Sequence, residues 1–151
     1  MTQATTRVFG HPTGTSSKSK AFTITAHIAR VALGLIFLVF GLNKFLHFIP
    51  GQPPTGVAGE FVFGLFKAPY LFPLIAFIEV IGGAFLLAGS LIPFALLILF
   101  PININILLFH LTLAPEGTGM SVLLMAAHIF LAVHYWPAYK PMFKIENAWK
   151  K

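Results

Sequence analysis

The sequence predicts an all-α polytopic membrane protein, a four-transmembrane-helix bundle with a short interfacial helix in the first external loop. Three observations predict it. Of 151 residues, 57% are hydrophobic and 9% charged, with a mean hydropathy of +0.85, too little polar surface for a water-soluble domain of this size. Four apolar runs, at approximately residues 22–48, 70–90, 91–113 and 120–139, approach or exceed the roughly 20 residues a helix needs to cross a bilayer. Seven of the ten basic residues, Arg7, Lys18, Lys20, Lys140, Lys144, Lys150 and Lys151, lie outside these runs at the two ends of the chain, where anionic lipid headgroups attract them.

Residues 1–20 are rich in Ser, Thr and Gly and have no apolar core, which predicts a flexible, polar, basic amino tail rather than a cleaved signal. A membrane domain over residues 21–140 follows, and residues 141–151 form a basic carboxy tail. The first span ends at Ile49-Pro50-Gly51, where proline and glycine break the helical pattern. Beyond Gln52-Pro53-Pro54, the residues Val57, Phe61, Leu65 and Phe66 recur near helical spacing, so the 57–67 segment reads as an amphipathic helix lying at the interface. The second span starts around Pro69 to Leu71 and contains Gly82-Gly83, small residues that let a neighbouring backbone approach.

Gly89-Ser90-Leu91-Ile92-Pro93 predicts a very short turn with Pro93 in the first turn of the third span, where its missing donor is tolerated. Pro101 lies inside that span and should bend it and free a carbonyl near Leu97, with Asn103 or Asn105 available to satisfy the group. Residues 114–119 are a turn, and the fourth span ends before Pro141. An alternative topology divides residues 71–114 differently or makes the 57–67 segment re-entrant. With four spans and the basic ends on one side, both termini are expected in the cytoplasm and the 49–69 and 114–119 loops outside. The expected location is the inner, cytoplasmic membrane.

Glu79 falls near the middle of the second span. A carboxylate at that depth must be paired, protonated or face a hydrated interior. Arg30 and Lys44, both in the first span, are the candidate partners. A structural ion pair explains Glu79 plainly; a proton relay or a cofactor-head contact explains it functionally. Arg30, Asn43, Lys44, Glu79, Asn103 and Asn105 are the candidate buried polar network, with Glu79 the candidate proton group and no residue assigned as catalytic. His27, His110, His128 and His134 are candidate ligand contacts, since imidazole is a common axial ligand of haem. His27 and His134 belong to the inner half, while His110 and His128 lie outer to central. His128 and His134 are six residues apart and point to different faces of one helix, which disfavours a bis-His haem and leaves hydrogen bonding inside the bundle as the ordinary role. No metal site is expected.

Asn43, Lys44, Phe45 and His47 form a polar and aromatic rim at the outer end of the first span. Snorkelling of Lys44 to the interface accounts for it; a quinone ring among Phe45, Phe48 and Phe61 would also suit it. The chain has no cysteine, which excludes cysteine-bound clusters, disulfides and thiolate catalysis in this chain. It has no phosphate loop, dinucleotide fingerprint or HExxH pair, and the basic amino tail has one aromatic, Phe9, so neither nucleotide chemistry nor nucleic-acid binding has motif support.

The stretch Arg30-Val31-Ala32-Leu33-Gly34-Leu35-Ile36-Phe37, continued by Gly41-Leu42-Asn43-Lys44-Phe45, and the later Glu79-Val80-Ile81-Gly82-Gly83-Ala84 with Leu86-Leu87-Ala88-Gly89 together resemble the DoxX and DoxX-like family of small four-helix membrane proteins, over most of residues 22–138. The resemblance implies an all-helical bundle, an association with membrane redox systems and, in some members, partnership with quinone-reducing enzymes. It implies no catalytic residue; the family-like polar positions are Arg30, Asn43, Lys44 and Glu79. The expectation is a small accessory or structural subunit of a larger respiratory or photosynthetic membrane complex, not catalytic by itself. The alternative is a quinone-linked redox component that uses Glu79 for proton transfer, with Lys44 or Arg30 polarising a carbonyl and electrons supplied by a partner. Expected partners are therefore a larger integral-membrane complex, lipids and a quinone.

Overall fold

The computed structural model describes residues 17–51 and 53–143. Within them the chain is all-α: α1 (Ser17–Leu46), α2 (Gly56–Lys67), α3 (Leu71–Ala88), α4 (Ile92–Thr112), α5 (Thr118–His134) and the short α6 (Trp136–Tyr139), with 3-10 turns at Pro115–Gly117 and Lys140–Phe143. Four of the helices are long and apolar enough to cross a membrane, and α2 stands outside them, as the sequence predicts.

Several boundaries differ from the sequence expectation by one residue or more; α3 ends at Ala88 instead of 90 and α5 begins at Thr118 instead of 120, and three others have a local cause. α1 already begins at Ser17, inside the stretch assigned to the amino tail, because extending an existing helix through Ser17-Lys18-Ser19-Lys20 costs far less than nucleating one; residues 1–16 and 144–151, the rest of the two expected tails, lie outside the described residues. α1 ends at Leu46 rather than at 48. Asn43 Oδ1 accepts the Ile49 N–H at 2.7 Å, and His47 turns left-handed with φ 52°. The fourth span stops at His134 instead of 139. Pro137 has no N–H to offer the Val133 carbonyl, so the chain bends at Tyr135 (φ −92°, ψ 12°) and restarts as α6 with the proline in its first turn. Tyr139 Oη donates to the Pro93 carbonyl at 2.8 Å and ties α6 to the start of α4.

α1 packs most extensively on α3, α4 lies against both α3 and α5, and α5 returns to α1. Leu33 and Phe37 of α1, Leu86 of α3, Leu96 and Leu99 of α4 and Leu131 of α5 form the buried centre. The α1–α3 crossing is close because it is made of glycines. A Cβ on Gly83 would lie 2.6 Å from the Leu38 nitrogen and 2.8 Å from the Gly34 carbonyl oxygen, and one on Gly41 would lie 2.9 Å from Glu79 Cβ. Gly82, one residue along, turns to α4 and makes room for the Leu99 side chain, whose Cγ would lie 2.6 Å from a Cβ there. The outward faces carry Leu35, Phe77, Leu97 and Leu123, apolar side chains that suit contact with lipid.

The α3–α4 turn is built on Gly89, left-handed at φ 69°. Its N–H bonds the Leu86 carbonyl at 3.3 Å, and the Ser90 N–H reaches Phe85 at 3.1 Å, a Schellman closure. Arg30 completes it from α1: Nη1 donates to the Leu86 carbonyl and, at 3.3 Å, to that of Leu87. A guanidinium at the negative end of a helix also complements the macrodipole. Arg30→Met should therefore cost about 2 kcal/mol, the range for a hydrogen bond to a charged group, seen as a lower unfolding midpoint in detergent; an unchanged midpoint would remove this capping role.

Pro101 sits inside α4 as expected, but Asn103 does not serve Leu97. Its amide nitrogen donates to the Leu124 carbonyl of α5 at 3.4 Å, because residues Leu96, Leu99 and Asn103 share the face of α4 that is buried toward the core.

Candidate functional site: a cavity beneath α2

Lys44 lies two residues from the end of α1. Helical side chains lean toward the N-terminus, so its ammonium swings inward, and Nζ meets Glu79 Oε2 at 2.5 Å. Glu79 is 2% exposed and Lys44 23%. Snorkelling outward is thus replaced by a half-buried ion pair with the carboxylate wholly inside.

This pair forms the inner end of a cavity of about 390 Å³ between α1, α2, α3 and α4, within the roughly 300–1,000 Å³ usual for small-molecule sites. Phe72, Ile75 and Glu79 come from one face of α3 at helical spacing, and Ile102, Asn105, Ile106 and Phe109 from one face of α4. α2 supplies the remaining wall with Phe61, Val62 and Leu65. It is held there by a stacked pair, Phe66 on Phe72 with ring centroids 3.9 Å apart, and by Phe61 against Phe109 at 5.5 Å. The walls are largely apolar, with polar groups from Lys44, Glu79, Asn105 and His110.

His110 lines the outer end. Its Nδ1 lies 3.0 Å from the Ala114 carbonyl; a carbonyl only accepts, so the neutral ring carries its proton on Nδ1 and leaves Nε2 as an acceptor. Thr118 Oγ1 donates to the His110 carbonyl at 3.1 Å, and Gly117 packs against the ring with no room for a Cβ. Asn105 is exposed and lines this space, and among the described residues its amide has no hydrogen-bond partner.

Of the residues singled out from the sequence, the fold brings Lys44, Glu79, Asn105 and His110 to one cavity. The others serve elsewhere. Arg30 caps α3, and Asn43 ends α1. Asn103 bridges α4 to α5 with its Oδ1 left unpaired. His128 is buried in α5 against Phe100, with Nδ1 unpartnered. His134 packs between Phe22 and Tyr135, and His27 lies on the outer face of α1. Among the described residues no three His, Asp or Glu side chains converge as metal ligands. The apolar wall residues of α3 and α4 were missed in the sequence; the signal was there in Phe72 and Ile75 spaced seven and four residues before Glu79, and in Ile102, Ile106 and Phe109 spaced three, one and four residues from Asn105.

No curated protein and no solved structure matches the chain. A family model described as DoxX matches residues 25–111, more than half of the chain. That segment runs from within α1 to the last turn of α4 and includes Lys44, Glu79, Asn105, His110 and all of α2. The protein thus belongs to the DoxX family of small multi-helix membrane proteins.

Proposed function

We propose that the protein is a quinone-linked component of a membrane redox system, with the cavity beneath α2 as the ring site and Glu79 as the group that exchanges the proton. The observation that carries this reading is the Lys44–Glu79 pair at the inner end of an otherwise largely apolar cavity in a membrane domain. A bound quinone supplies two-electron, two-proton chemistry. Phe61, Phe72 and Phe109 offer ring surfaces. Lys44 has three N–H donors, and the bond to Glu79 uses one, leaving donors for a carbonyl oxygen. The Asn105 amide both donates and accepts, so it serves a carbonyl and a hydroxyl equally. Glu79 holds or releases a proton beside them.

Electrons come from a partner membrane enzyme, since the chain has no cysteine to hold a cluster. The two roles expected from the sequence therefore combine: a small subunit of a larger complex that contributes a quinone site. With the basic ends cytoplasmic, α2 faces the outer side of the inner membrane.

Glu79→Gln keeps the shape and a hydrogen bond to Lys44 but cannot exchange the proton. In native membranes it should leave the protein assembled and lower quinone turnover about 10²-fold, the lower range for loss of a general acid–base group. Turnover at the wild-type rate would overturn the proposal.

A further inference from the structure

We infer that the cavity beneath α2 is a hydrated vestibule through which Glu79 exchanges protons with one side of the membrane only, the side onto which α2 and the Pro115–Gly117 turn open. The inference rests on the reading of Glu79 as a proton-exchanging group, but it concerns water access and is tested without quinone.

The antiparallel register of α3 and α4 is set where Gly82 meets Leu99. Counting three residues toward the α2 side on each helix puts Glu79 at the depth of Ile102. Asn105 is then one turn farther toward that side, and His110 lies about 7.5 Å beyond Asn105 at 1.5 Å per residue. Polar groups thus descend in steps from the mouth to the ion pair: His110, Asn105, then Lys44 with Glu79. The titratable groups facing the space are Lys44 from α1, Glu79 from α3 and His110 from α4, while α2 contributes only Phe61, Val62 and Leu65. His128 of α5 lies in a different groove, with Leu96 and Phe100.

Asn105 points to water. An amide at membrane depth needs a hydrogen-bond partner, and among the described residues the protein offers it none. The cavity of about 390 Å³ has room for about thirteen water molecules at roughly 30 Å³ each. A proton entering at the mouth and passed along water held by Asn105 reaches Glu79.

The opposite direction is closed. Below Glu79, the close contacts of Gly83 with Leu38 and of Gly82 with Leu99 leave no gap. Beyond them Leu33, Phe37, Leu86, Leu96 and Leu99 are each 2% exposed or less. Arg30, the cation at that end, is held by the carbonyls of α3.

The absence of cysteine allows a direct test with single cysteines and a charged, membrane-impermeant methanethiosulfonate reagent added to vesicles of either orientation. Glu116→Cys and Ser90→Cys, both at exposed positions, mark the two faces. Asn105→Cys and Ile102→Cys should react from the Glu116 face and not from the Ser90 face, while Leu99→Cys should react from neither. Failure of both Asn105→Cys and Ile102→Cys to react, or their reaction from the Ser90 face, would overturn the inference. Asn105 is exposed and outside the buried core, so that variant does not disturb the core. Labelling as expected together with wild-type quinone turnover in Glu79→Gln would leave the vestibule standing and remove the quinone role.

Discussion

Lys44→Met should destabilise the bundle by about 3–5 kcal/mol, the range for breaking a buried ion pair from one side, and Glu79→Leu should cost distinctly less. The asymmetry follows from depth. Removing Lys44 strands a carboxylate that is 2% exposed, in the middle of α3, with no second cation among the residues lining the cavity. Removing Glu79 strands an ammonium two residues from the end of α1, already 23% exposed, on a stem long enough to reach the interface. The double variant Lys44→Met/Glu79→Leu should recover most of the loss, since replacing both members of a buried pair by apolar groups is often neutral. Unfolding midpoints of the three variants in one detergent check the order. Equal losses for the two single variants, or a double variant no better than Lys44→Met, would contradict this account of the pair.

Gly83→Ala should cost about 3 kcal/mol and Gly82→Ala considerably less, although the two glycines are adjacent. A Cβ at Gly83 meets backbone, 2.6 Å from the Leu38 nitrogen and 2.8 Å from the Gly34 oxygen, so α1 and α3 must separate, at the upper end of overpacking costs of about 1–3 kcal/mol. A Cβ at Gly82 meets side chain instead of backbone, the Leu99 Cγ at 2.6 Å and its two methyl carbons at 2.8 Å, which can move by a change of rotamer without parting two helices. Gly83 also lies one turn from Glu79 on the same helix face, so parting the helices there strains the Lys44–Glu79 pair as well. Gly83→Ala combined with Lys44→Met should then cost less than the two separately, a non-additivity expected of neighbours that share one displacement. Strict additivity would show that the crossing and the ion pair are independent.

Much of the fold was legible because a bilayer narrows the choices. An apolar run of about 20 residues must satisfy its backbone internally, and for a chain of this kind that means a helix. The short turn at Gly89 and the position of Pro93 followed from local backbone geometry alone. The apolar pattern of the fourth span continues through Tyr135 and Trp136 and so predicts a longer helix than α5, which ends at His134 because Pro137 offers the Val133 carbonyl no donor.

The candidate site was legible only in part. Glu79 and Lys44 were conspicuous as charges among apolar residues. Which cation meets Glu79 was not, since Arg30 and Lys44 sit on the same helix and the choice depends on how far α1 slides along α3. That slide is decided by Gly34, Gly41 and Gly83, where the backbones approach.

The sequence by itself determined the class of protein, the number of spans and the residues too polar to be idle, because these follow from composition and run length. Only the tertiary structure decided that Lys44, Asn105 and His110 line the cavity that ends at Glu79, while Arg30, Asn43 and Asn103 serve backbone groups elsewhere. The physical reason is that lipid-facing and core-facing side chains are both apolar in a membrane helix. Hydropathy then scarcely distinguishes one face from another, and the rotation and register of each helix are fixed by close packing with its neighbours.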